Sequence, residues 1–203
     1  MGKAKIRLSQ KETELINDAS VILTKNAIME KIKLLMIELQ ERQQDFFQHS
    51  HLFLDKHWEN RSPKISKGEN YKGLPYLILD YPRVFTSSDI FAVRTLCWWG
   101  NFFSTTLHLS GYYKKTFEEK IIASSSLLSK RGFFYCINDD QWEHDFEAGN
   151  YLPITEKHIN DFEKTIREKS FIKLAVQLPL HQWDDATDIL FNYFKQIVEM
   201  LDG

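Results

Sequence analysis

The sequence predicts an α+β domain in which N-terminal helices precede a predominantly antiparallel sheet flanked by further helices. Three observations carry this expectation. Residues Ser9 to Phe47 contain neither Gly nor Pro and repeat apolar side chains at helical spacing. Two runs of β-branched and aromatic residues, Ile90 to Trp99 and Phe102 to Ser110, flank Gly100-Asn101, a pair suited to a two-residue hairpin turn. Beyond them, a helical pattern followed by a strand pattern occurs twice, with strands near Phe133 and Phe171. One domain over residues 1–203 is expected, made of a helical segment 9–47, a polar loop 49–73, and a sheet and helix region 74–203.

The first helix opens on a capping box, Ser9 with Glu12 three residues on. Leu8, Leu15 and Ile22 form one stripe and Ile28, Ile32, Leu35 and Leu39 another, so the change of phase around Thr24-Lys25-Asn26 predicts a break. The polar stretch 49–73, with Ser62-Pro63, Lys67-Gly68 and Lys72-Gly73, reads as a surface connection. Leu74 to Leu79 is rich in β-formers and is closed by Tyr81-Pro82. In the hairpin, a turn at Gly100-Asn101 pairs Trp99 with Phe102, Cys97 with Ser104, Thr95 with Thr106 and Val93 with His108. That register places Arg94, Leu96, Trp98, Phe103, Thr105, Leu107 and Leu109 together on the opposite face.

Next comes a helix from Thr116 to Lys130, burying Phe117, Ile121, Ile122, Leu127 and Leu128, and then a strand from Phe133 to Ile137. Thr155 is placed to cap a helix with Ile159, Phe162 and Ile166 inward. A strand from Phe171 to Leu178 alternates Ile172, Leu174, Val176 and Leu178 on one face. The last helix starts near Asp184-Asp185 and buries Leu190, Phe194, Ile197 and Leu201.

Charge and composition narrow the function. With 26 basic and 28 acidic residues, the chain lacks the one-signed field that drives general binding to nucleic acid. No apolar run approaches a membrane span, because Arg94, Asn101 and His108 interrupt the richest stretch. Two cysteines, Cys97 and Cys136, lie in strand-like runs where a reduced, buried thiol is expected, which points to a soluble cytoplasmic protein. Serine-nucleophile, P-loop and dinucleotide signatures are missing, so a non-catalytic binding or interaction module is expected before an enzyme.

Two constellations carry chemistry. Arg83 and Arg94 are the only cations between Gly73 and Lys114, and with Trp98, Trp99 and His108 they make the residue mix of an apolar pocket with a few directed donors. A small anionic, partly apolar ligand would suit it, because a guanidinium forks onto carboxylate or phosphate; Asp80 and Asp89 are the neighbouring carboxylates that could pair internally instead. The second constellation is His49, His51, Asp55 and His57, which reads first as a polar helix terminus and, as the alternative, as ligand chemistry sufficient for a zinc-dependent hydrolase. Glu41, Asp45 and His49, four residues apart, share one helical face beside it. Residues 138–163 are strongly acidic, and the earlier loop is mildly basic. Met29, Leu34, Met36 and Ile37 make the N-terminal helical segment apolar on more than one face, which favours a homodimer.

Overall fold

The computed structural model of the chain describes residues 6–49 and 62–202. Among the described residues, six helices and a seven-stranded antiparallel sheet form a mixed α+β architecture. Helices α1 (Gln10–Asn17) and α2 (Ala19–His49) come first. Strands β1 (Lys64–Tyr71), β2 (Leu74–Phe85), β3 (Ile90–Trp98) and β4 (Phe102–Ser110) then meander side by side. Helices α3 (Gly111–Ala123) and α4 (Ser125–Lys130) lead to β5 (Phe134–Cys136) and β6 (Tyr151–Pro153). Helix α5 (Ile159–Glu168), β7 (Phe171–Pro179) and α6 (Ala186–Asp202) complete the order. The sheet runs β1-β2-β3-β4-β7-β5-β6, so β7 inserts between the meander and the short β5-β6 pair.

All the long helices pack on one face of this sheet. Leu107, Leu109, Ile172, Leu174 and Val176 meet Phe117, Ile121, Phe162, Phe194 and Ile197 from α3, α5 and α6 in one buried cluster. Leu77, Leu79, Cys97, Phe103 and Leu178 meet Met29, Ile32, Leu35, Met36 and Leu39 of α2 in another. The expected alternation along β7 and the inward stripe of α6 are both present, because period-2 and period-3.6 patterns each present one apolar face to a shared core.

Five local expectations are corrected. The helical break falls at Asp18, whose carboxylate accepts the Ser20 N–H at 2.9 Å, and α2 then runs unbroken through Thr24-Lys25-Asn26. The phase change there marks a different event: Leu15 and Ile22 are exposed, and burial of the helix begins only at Met29. The supposed loop contains β1, paired with β2 through a turn at Lys72-Gly73, where both residues have positive φ, 49° and 82°. β2 continues past Tyr81-Pro82, since the register shift between Asp80 and Arg83 absorbs the proline that a regular ladder would reject. Leu127 is 42% exposed while Leu128 is buried, and Thr155 makes no side-chain cap because a short 3-10 turn, Glu156–His158, precedes α5.

The hairpin of β3 and β4 forms, but one residue out of the expected register. Trp98, not Trp99, pairs with Phe102, and the series continues through Leu96 with Ser104, Arg94 with Thr106 and Ala92 with His108. Trp99, Gly100 and Asn101 form a three-residue connection closed by the Asn101 N–H donating to the Trp98 carbonyl at 3.1 Å. Gly100 alone has positive φ, 72°, which a primed two-residue turn at Gly100-Asn101 would require of both residues. A slip of one residue turns every β4 side chain to the other face. Arg94, Leu96 and Trp98 therefore share a face with Phe102, Ser104, Thr106 and His108, while Phe103, Thr105, Leu107 and Leu109 enter the helical core.

A buried basic cluster on the second face of the sheet

Among the described residues the second face carries no long helix. It is covered by the irregular segment 138–150, which leaves β5 and returns to β6. Antiparallel register lays out what lies beneath. One row across the sheet reads Asp80, Arg94, Thr106, Ala175 and Phe134, and the adjoining row reads Arg83, Ala92, His108 and Lys173. Directly opposed side chains in an antiparallel pair stand about 5 Å apart at Cβ, so His108 and Lys173 are immediate neighbours.

Arg94 is neutralised from within. Its Nε and Nη2 donate to Asp80 Oδ1 and Oδ2 at 2.7 and 3.1 Å, a bidentate pair, and its Nη1 lies 3.3 Å from His144 Nε2. Lys173 is not so matched. Its residue is 2% exposed, its Nζ donates to the Glu143 carbonyl at 2.5 Å, and it stands 5.3 Å from the Tyr151 ring centroid. Among the described residues no carboxylate reaches salt-bridge distance of this amine, a costly position for a charge. Burial, with Arg94 close by, pushes the amine down to about 8.

Both histidines are held neutral. Burial and the positive charges of Lys173 and Arg94 lower His108 to about 3 and His144 to about 2. His108 Nε2 lies 2.9 Å from Gln141 Oε1, and a neutral His144 Nε2 can accept from Arg94. An aromatic wall continues the site: Phe146 stacks on Tyr151 at 4.7 Å and meets Phe102 and Phe134 edge-on at 5.2 Å.

Tyr71, at the end of β1, fastens the cover. Its hydroxyl accepts the backbone N–H groups of His144 and Asp145 at 2.7 and 3.0 Å and donates to Glu143 Oε2 at 2.8 Å. Beside it, Lys72 pairs with Asp145 at 2.8 Å, and Lys169 pairs with Asp139 at the same distance. The complementary charge of the early basic stretch and the later acidic stretch is thus used within one chain.

Of the residues singled out from the sequence, Arg94, Trp98 and His108 share this face. Arg83 belongs to the same face, but its Nε donates to the Ser62 carbonyl at 3.1 Å. Trp99 lies on the other side of the sheet, against the α2 cluster. Lys173, His144, Tyr71 and Tyr151 were missed. Lys173 alternates with Ile172 and Leu174, the ordinary pattern of a residue facing water, and only the cover turns that position into an interior one. His49 ends α2 with Nδ1 2.9 Å from the Asp45 carbonyl, and it lines a cavity of about 500 Å³ with Glu41, Asp45 and Phe191. His51, Asp55 and His57, the rest of the zinc constellation, lie outside the described residues. Among the described residues no group of three or more His, Cys, Asp or Glu side chains is placed to hold a metal ion.

The fold and site define an α+β protein with helices on one sheet face and a covered basic cluster on the other. No protein-family model, curated protein or solved structure matches the chain. Among the described residues no helix is long and apolar enough to cross a membrane.

Proposed function

We propose that the protein is a binding module whose ligand is a small, partly apolar anion, held by Lys173 with Arg94, His108 and His144. The observation that carries this reading is the buried amine of Lys173, which has one backbone acceptor and no carboxylate partner among the described residues. An anion seated there would supply the missing counter-charge, and the low dielectric would strengthen the attraction. The adjoining wall of Phe102, Phe146 and Tyr151 suits an apolar or aromatic portion of the ligand, and Trp98 extends that wall beside Phe102. The ligand reaches the cluster by lifting the 138–150 cover. Two buried, unpaired thiols support a reducing, cytoplasmic setting, and near-balanced charge argues against a nucleic-acid partner.

Thermal shift with acetate, benzoate and phosphate tests this, on the wild type and on Lys173→Met. Benzoate is expected to raise the melting temperature by several degrees, since a ligand at 100 times its Kd stabilises by about 2.7 kcal/mol. The variant should show no such rise. Failure of all three anions to move the wild type would overturn the reading.

A second reading, self-association into a homodimer, is favoured by one observation. Leu8, Leu15, Ile16, Val21, Ile22 and Leu23 of the N-terminal helical segment are each more than 40% exposed, and α1 has no buried residue at all.

A further inference from the structure

Resting on the self-association reading, we infer that α1 of one copy seats in a groove on a second copy, reciprocally across a two-fold axis. An eight-residue helix is marginal alone, and the hydrogen bonds of α1 are local, a capping box at Ser9 and short-range bonds within its own two turns, while Leu15 and Ile16 stand 46% and 73% exposed. Some surface must cover them for the helix to persist.

The same chain offers a groove of about 650 Å³, walled by Val21, Ile22 and Ile28 of α2 and by Leu74, Pro75 and Trp99 from the tips of the two hairpins. Its own α1 cannot fill it. Only Asp18 separates α1 from α2, whereas two helices lying back to back need a connection of two to five residues. Among the described residues no segment of the same chain fills it, whereas a second copy can.

Charge points to a second copy. From Gln10 to Asp18 there are three carboxylates, Glu12, Glu14 and Asp18, against the single amine of Lys11. From Ala19 to Lys33 there are three amines, Lys25, Lys31 and Lys33, against the single carboxylate of Glu30. At the groove rim, Glu69 bridges Lys25 and Lys67 at 2.5 and 2.9 Å, so the rim keeps a net positive charge. Two copies running antiparallel set each acidic α1 against the other's basic α2, and such an interface is self-complementary and closed.

Light scattering and analytical ultracentrifugation on the full chain test the inference. The wild type is expected as a particle of twice 24.1 kDa. Ile16→Asp, at an exposed position, should weaken association at least tenfold while leaving the helical circular dichroism of the body intact. As a geometric check, Ile16→Cys combined with Leu74→Cys should form a disulfide between copies under mild oxidation. A wild type that stays at 24.1 kDa up to half-millimolar concentration overturns both the inference and the self-association reading. A dimer that survives Ile16→Asp and yields no cross-link overturns the seating of α1 and leaves self-association standing.

Discussion

Lys173, buried, and Arg94, partly buried, show how two cations in one cluster come to opposite accounts. Arg94 has a bidentate carboxylate partner in Asp80, so deleting it would strand Asp80. Lys173 has only a carbonyl acceptor, so its charge is carried at a cost to the free protein. Lys173→Met is therefore expected to stabilise the ligand-free protein at pH 7 by roughly 1–4 kcal/mol, whereas Arg94→Met should destabilise it by about 3–5 kcal/mol. Chemical denaturation of the two variants against the wild type checks this. A Lys173→Met variant that loses stability would mean that the bond to Glu143 and the Tyr151 contact outweigh the cost of the charge. That result would make Lys173 a structural residue.

At the level of elements, the 138–150 segment is a cover without regular structure, and the Tyr71 hydroxyl is one of the groups that fasten it. Tyr71→Phe removes one acceptor for two backbone N–H groups, and each such loss costs about 1–3 kcal/mol. Hydrogen exchange should then accelerate at the amides of His144 and Asp145, with the β3-β4 and β4-β7 ladders little changed. Unchanged exchange at those two amides would show that other contacts hold the cover. The helices, the last two long strands and the antiparallel sheet were legible because each repeats an apolar residue with its own period. The register of the hairpin was not, since Gly100-Asn101 fits a primed turn locally while the structure draws Trp99 into the connection. That single residue decides that His108 lies with Arg94. The cover itself has no period to read, so neither its own His144 nor Lys173, which it buries, carried a signal of its place in the site.

For the whole molecule, the neutral histidines link folding to acid. His108 and His144 titrate near 3 and 2 in the fold, far below the 6.5 of a free imidazole. Between pH 6.5 and about 4.5 the unfolded chain takes up protons that the folded chain refuses, so stability is full above 6.5 and falls as pH drops. The expected slope is about 1.4 kcal/mol per pH unit for each histidine. Urea denaturation at half-unit steps of pH should show this slope in the wild type and a shallower one in His108→Asn. A flat profile over that window would mean that both imidazoles are solvated.

The amine of Lys173 gives the most direct test, by following its side-chain NMR signal through a pH titration with and without benzoate. In the free protein it should titrate near 8, because burial and the Arg94 charge disfavour its proton. Saturating benzoate should move the midpoint upward, since a bound carboxylate favours the charged amine, and benzoate affinity should weaken as pH rises through 8. A midpoint at the ordinary lysine value near 10.5, unmoved by benzoate, would contradict the account.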